Sequence, residues 1–317
     1  MLPSSPGSVL SPKGALGLVL VLGLTSCRQC GSHAAQESPG FCLERWSEGA
    51  SSSGSHIVEE QAVGLKPKAI GSLTLLWSHR LDQPLKLMVR FLDGTEFQKS
   101  SVELYAPGWT DATEGKVQFA FTDDPKVHSD IRVTFHSAGS SSIVGFDPAG
   151  DQQDTTMWFG WVDEQHSNDQ IKSVILHEFG HALGLFHEHQ HPDAGIPWDT
   201  AAVYKYFLSR NPDWDSATVD LCVFRRYDST TSNSDVYDPL SIMHYPIPDT
   251  LTRGRFHSEL NTRLSQVDKR FITQTYRWGP CGKGTPCCAD HNGNIYDCAL
   301  DTLFQLGPAD QRRTGAR

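Results

Sequence analysis

Residues 177–187 read His177-Glu178-Phe179-Gly180-His181-Ala182-Leu183-Gly184-Leu185-Phe186-His187. The stretch begins in a helix predicted over residues 170–183, which Asp169 can cap. Ile171, Val174, Ile175 and Ala182 recur in it at helical spacing and give it a core face. On such a helix His177 and His181 stand one turn apart on one side. Two imidazoles so placed can reach a single zinc ion at about 2.0–2.1 Å. Glu178 then lies beside the metal and not on it, where a base must stand to take a proton from an activated water. Gly184 can adopt the left-handed backbone and turn the chain sharply, so that His187 approaches from another side as a third ligand. Three neutral imidazoles leave one coordination position for water, the arrangement of catalytic and not structural zinc. Two histidines at helical spacing alone say little. The full string HExxHxxGxxH fixes five residue types at set offsets and is far more specific.

Further out, Leu85, Leu87, Val89 and Phe91 alternate with Lys86, Met88 and Arg90 and predict a strand with one more apolar face, stopped by Asp93-Gly94. Residues 96–109 follow as a predicted helix that Pro107-Gly108 must end or kink. Val117, Phe119 and Phe121 mark a second strand, Ile131, Val133 and Phe135 a third, and Thr155 to Trp161 (TTMWFGW) a fourth. The order strand, helix, strand, strand, strand implies a mixed sheet with helices on it. After residue 190 the pattern weakens into loops through Pro192, Pro197, Pro212 and Pro239. A last helix is predicted from Gln266 to Arg277. Ser265 with Asp268 resembles a capping box, and Val267, Phe271 and Ile272 supply an apolar side.

A second motif, Ser241-Ile242-Met243-His244-Tyr245, lies about 56 residues beyond His187. With both motifs the chain resembles the metzincin clan of zinc peptidases, whose zinc helix is followed by a turn containing methionine. SIMHY, and Glu188 directly after the third histidine, look most like the astacin family. The next residues, His189-Gln190-His191-Pro192-Asp193-Ala194, depart from that family's Arg- and Asp-containing continuation. An astacin-like or matrixin-like outlier therefore stays open. The resemblance covers roughly residues 73–280. It implies an α+β, metzincin-type two-lobed catalytic domain, with a twisted mixed sheet and helices above a cleft and an irregular lower lobe below. Thr155 to Trp161 would be the edge strand above the cleft, able to pair with an extended peptide. Met243 would form the hydrophobic floor under the imidazoles. Tyr245 would lie near the zinc and donate its hydroxyl to the transition-state oxyanion. Glu188 would either make a buried salt bridge supporting the lower half or be a solvated side chain. His189 and His191 read as loop residues, and His244 has no assigned role. The implied activity is that of a zinc-dependent metalloendopeptidase with Glu178 as general base. Two other classes remain: a secreted binding protein on a zinc fold without turnover, and a zinc hydrolase of non-peptide amides.

The rest of the chain sets the context. Its 317 residues are 38% hydrophobic and 20% charged, enough for one catalytic domain with short extensions. The net charge of -10 argues against nucleic acid or an anionic membrane as partner. Gly14 to Leu24 (GALGLVLVLGL), behind Lys13, is too short to span a bilayer and suits a signal peptide, so secretion is expected. Leu24-Thr25-Ser26-Cys27 resembles a lipobox, the alternative being a lipid anchor through Cys27. The expected division is 1–34 signal peptide, 35–72 pro-segment or N-terminal extension with a small polar linker at 47–56, 73–280 catalytic domain and 281–317 Cys-rich tail. Cleavage after Cys30 leaves six of the eight cysteines, which an oxidising compartment would pair. Cys42 could sit in a disulfide or hold the zinc in a latent form. Calcium has no supporting motif: Asp290-His291-Asn292-Gly293-Asn294 is oxygen-rich but does not match an EF-hand loop. The expected partner is a protein or peptide substrate, acted on by a monomer with no stable membrane span.

Overall fold

A computed structural model describes residues 43–45, 76–77, 79–80, 83–146, 152–211, 214–227, 236–276, 287–289 and 295–297. The apolar run at 14–24, the linker at 47–56, Cys42 and the Asp290–Asn294 segment lie outside the described residues. In chain order the elements are β1 (Leu43–Arg45), β2 (His79–Arg80), β3 (Leu85–Phe91), α1 (Glu96–Tyr105), α2 (Gly108–Ala112), β4 (Val117–Thr122), β5 (Ile131–Thr134), β6 (Ser141–Ile143) and β7 (Met157–Trp158). They continue with α3 (Asn168–Ala182), α4 (Thr200–Arg210), α5 (Ser216–Val219), α6 (Gln266–Thr275), β8 (Cys287–Ala289) and β9 (Ile295–Asp297).

Six strands form one mixed sheet in the order β1-β6-β7-β5-β3-β4. β3 runs parallel to β4 and β5, β7 parallel to β5, β6 antiparallel to β7, and β1 parallel to β6. Leu85, Leu87, Val89 and Phe91 of β3 are buried as their alternation requires. Arg90 is buried as well, its guanidinium donating to the Pro125 and Gln152 carbonyls. Pro107 splits the helix predicted over 96–109 into α1 and α2. Trp109 of α2 is fully buried and donates Nε1–H to the Leu176 carbonyl of α3 at 2.9 Å, which docks the two helices. In the smaller sheet β8 pairs antiparallel with both β2 and β9, bringing part of the Cys-rich tail back onto residues 79–80.

Three sequence expectations need correction. Thr155 to Trp161 is not the edge strand. Of that stretch, Met157–Trp158 alone forms a strand, and it lies between β6 and β5, inside the sheet. Beyond it a Cβ on Gly160 would stand 2.7 Å from the Ser137 carbonyl and the Gly139 nitrogen, and the ladder stops where the backbones approach so closely. The cap of α3 is Ser167, not Asp169. Ser167 Oγ accepts from the Gln170 N–H, and Gln170 Oε1 accepts from the Ser167 N–H at 2.9 Å. The region after 190 is not all loop, since α4 starts at an Asp199 cap and buries Val203 and Phe207 one turn apart.

The apolar core has two main parts. One joins the sheet to α3, α6, Ile242 and Met243. The other, below, gathers Val203, Phe207, Val219, Val223, Tyr245, Ile247 and Leu251. This is an α+β, two-lobed arrangement, with the histidine helix and the SIMHY turn where the two parts meet. Among the described residues no helix is long and apolar enough to cross a membrane.

Candidate metal centre

α3 carries His177, Glu178 and His181 on its last two turns, all three buried. The helix ends in a tight turn at Gly184, whose φ of +94° is strained for any residue with a side chain. Gly184 N–H donates to the His181 carbonyl at 2.8 Å and Leu185 N–H to the Gly180 carbonyl at 3.0 Å. The chain then doubles back and delivers His187. One side-chain donor atom from each of His177, His181 and His187 lies within 4.8 Å of the others. His181 Nε2 and His187 Nε2 are 3.1 Å apart.

Ring orientation follows from hydrogen bonds to carbonyls, which can only accept. His177 Nδ1–H donates to the Ile242 carbonyl and His181 Nδ1–H to the Leu185 carbonyl, both at 2.8 Å. With Nδ1 so engaged, each ring presents Nε2 as the atom a metal would take. Burial, then the neighbouring His177 and His244, hold the His187 imidazole well below its ordinary pKa, so this ring is neutral near pH 7. Tetrahedral bonds of about 2.0–2.1 Å set neighbouring ligand nitrogens roughly 3.3 Å apart. The 3.1 Å separation and the imidazole donors suit a zinc ion.

Met243 is buried beneath the helix. A Cβ on Gly180 would stand 2.4 Å from Met243 Sδ, so Gly180 is what lets the methionine sit between the turns that carry the first two histidines. Glu188 is buried and not solvated. Its N–H donates to the Met243 carbonyl at 3.0 Å and its Oε1 accepts from the Asp238 N–H at 2.8 Å. It thus ties the segment after the third histidine to the turn that holds Met243.

Tyr245 is buried with its ring centroid 4.4 Å from that of His187 and 6.4 Å from that of His177. His189, which the sequence reads as a loop residue, is buried and stacks on Tyr245 at 4.1 Å and 20°. Its Nε2–H donates to the Cys222 carbonyl at 3.2 Å. His191 is buried too, and its Nδ1 accepts from the Asp193 N–H at 2.9 Å, closing a turn. His244 gains a role. Its Nδ1–H donates to the Tyr245 carbonyl and its Nε2 accepts from the Tyr237 hydroxyl, both at 2.6 Å. Ser258 Oγ donates to the same Tyr245 carbonyl at 2.7 Å. Backbone and ring of Tyr245 are therefore both held. No spacing rule flags His189, because its partners Cys222 and Tyr245 lie far off along the chain, and Tyr237 meets the nearby His244 only through the irregular turn between them.

A helix carrying two of three converging imidazoles, a glycine turn delivering the third, and a methionine beneath them form a cluster that could hold a metal, in the arrangement of the metzincin class. Residues 109–276 match the astacin peptidase family, and the chain belongs to that family. It resembles the structure of myroilysin at 34% identity and a TM-score of 0.60, over 67% of this chain and 100% of that one. Zinc metalloproteinase dpy-31 of Teladorsagia circumcincta is 26% identical over 246 residues, 70% of this chain and 34% of that protein. Zinc metalloproteinase nas-39 of Caenorhabditis elegans is 26% identical over 149 residues, 43% of this chain and 15% of that protein. The chain thus spans about a third or less of the length of these two relatives.

Proposed function

We propose that this chain is a zinc-dependent metalloendopeptidase that hydrolyses peptide bonds of extracellular proteins, with His177, His181 and His187 holding one zinc ion. The convergence of three buried imidazole donors carries this reading. Bound there, zinc would supply a Lewis acid that acidifies water and polarises a peptide carbonyl. Glu178, buried on the same turn of α3, takes the proton from the attacking water and passes it to the leaving amine. Tyr245 donates its hydroxyl to the developing oxyanion. Glu188, Met243 and Gly184 shape the support.

The N-terminal part is proposed to be a signal peptide followed by a pro-segment, with the active form a secreted monomer. The pairing of β1 with β6 supports the pro-segment. Leu43, Glu44 and Arg45 lie in register with Ser141, Ser142 and Ile143, along the strand that would otherwise form that edge of the sheet. An extended substrate would add to such an edge.

Digestion of casein, blocked by 1,10-phenanthroline and restored by zinc, separates an endopeptidase from a non-hydrolytic binding protein and from an amidase of small molecules. Glu178→Gln should keep its zinc and lose about 10²–10⁴-fold in turnover. A fully active Glu178→Gln protein would refute the assignment of the base.

A further inference from the structure

Asp268 does more than its place in the sequence requires. As the third residue of α6 it completes the capping box by accepting from the Ser265 N–H at 2.8 Å. A solvated carboxylate would serve that purpose equally well. Asp268 is instead fully buried, 0% exposed, and its remaining bonds point away from its own helix. Oδ2 accepts from the Ile242 N–H at 2.8 Å and Oδ1 accepts from the Ser241 hydroxyl at 2.6 Å. Ser241 Oγ in turn accepts from the Met243 N–H at 3.0 Å. A buried carboxylate is retained at such a place only when its donors are well aligned, and bonds to a charged acceptor are about twice as strong as neutral ones.

The bonds fix the peptide on each side of Ile242, and the Ile242 carbonyl is the group that receives Nδ1–H of His177. The other helical histidine is oriented differently. His181 bonds the Leu185 carbonyl, inside its own helix-ending turn, and needs no distant support. Of the two helical histidines, His177 is the one whose Nδ1 partner lies in another part of the chain. Outer groups that orient a ligand imidazole set its tautomer and its aim at the metal.

We propose that Asp268 is a positioning residue for the metal centre, acting through the Ser241–Ile242 backbone to hold the His177 ring. The proposal rests on His177 being a zinc ligand. Its effect reaches a ligand imidazole, so it predicts a change in the metal's surroundings and not merely in the stability of α6.

The test uses the full chain and measures zinc affinity by competition with a chromophoric chelator, together with the visible absorption of the cobalt-substituted protein. Asp268→Asn keeps the side chain's shape but loses its charge and one acceptor oxygen. It should weaken zinc binding about 10-fold and alter the cobalt bands. Ser265→Ala is the control. It removes the hydroxyl that caps α6 but leaves the bonds from Asp268 to Ser241 and Ile242, so it should lower the melting temperature and leave zinc affinity within about two-fold of the parent. If Asp268→Asn does not fold, Ser241→Ala, which removes the Oδ1 bond, should weaken zinc binding by at least about three-fold. Folded Asp268→Asn with parental zinc affinity and cobalt spectrum would overturn the proposal, as would an equal loss in Ser265→Ala. A parental protein that binds no zinc would instead overturn the metal-site reading itself, and a parental protein whose zinc survives His177→Ala would remove His177 from the ligand set.

Discussion

Replacing Gly180 by alanine puts one methyl group into the narrowest gap beneath the histidines. The new Cβ would stand 2.4 Å from Met243 Sδ, 3.4 Å from its Cε and 3.2 Å from Cζ2 of Trp109. Carbon contacts are comfortable at about 3.5–4.0 Å, so something must move by about 1 Å. Trp109 cannot, being fully buried and hydrogen-bonded to the Leu176 carbonyl. Met243 has a flexible side chain but a fixed backbone: its N–H is held by Ser241 Oγ and its carbonyl by the Glu188 N–H. Two effects then compete. Alanine gains about 1 kcal/mol over glycine inside a helix. Overpacking costs about 1–3 kcal/mol. The net expectation is a loss of about 1 kcal/mol, read in urea unfolding, with weaker zinc retention because the floor under the imidazoles shifts. In a Met243→Ala background the contact with sulfur is gone and only the 3.2 Å contact with Trp109 Cζ2 remains, so the same change should be close to neutral. A Gly180→Ala protein more stable than its parent, with zinc retained equally well, would show that the methionine does not press on the helix there.

Tyr245→Phe should keep the ring contacts with His187 and His189, and hence zinc content, while turnover falls about 10²–10³-fold; unchanged turnover would remove the hydroxyl from the reaction. Burial holds the His244 imidazole down to about 4, against an ordinary 6.5 in the unfolded chain. The unfolded chain therefore binds the extra proton between those values, and stability is complete above pH 6.5 and falls as the pH drops toward 4, by about 3 kcal/mol at most. His244→Gln should flatten that part of the pH dependence in denaturant titrations, and an unchanged slope would contradict a buried neutral ring. Cleavage between residues 47 and 75, followed by removal of the N-terminal piece that carries β1, should raise peptidase activity; equal activity before and after would mean that β1 does not obstruct substrate.

The cluster of three histidines was legible because a helix converts a spacing of four into a shared direction, and because Gly184 advertises the turn that brings in His187. The strand at 85–91 and the Ser265 cap of α6 were legible for similar local reasons. What local reasoning misread depended on partners far along the chain. Met157–Trp158 looks like any aromatic strand, and its interior place is set by β6 and β1, neither of which carries enough alternation to be read. β6 is only Ser141-Ser142-Ile143. α4 carried a readable signal in Asp199, Val203 and Phe207, but the flanking Pro197 and Pro212 made the stretch look like loop. His189, Tyr237 and His244 look like loop and turn residues until tertiary structure brings their rings and carbonyls together.

The far end of the histidine helix is closed by side chains from opposite ends of the described domain. Trp77 donates its indole N–H to the Ala182 carbonyl at 2.7 Å, and the Tyr276 hydroxyl donates to the Leu183 carbonyl at 3.1 Å. These carbonyls would otherwise be orphans of a helix terminus. During vectorial synthesis the tyrosine leaves the ribosome long after the histidines, so the helix end must wait for it. Such long-range closure slows folding. Metal capture in its final form should accordingly be among the last events of maturation, and a chain cut short before residue 276 should release its ion readily even with every ligand in place.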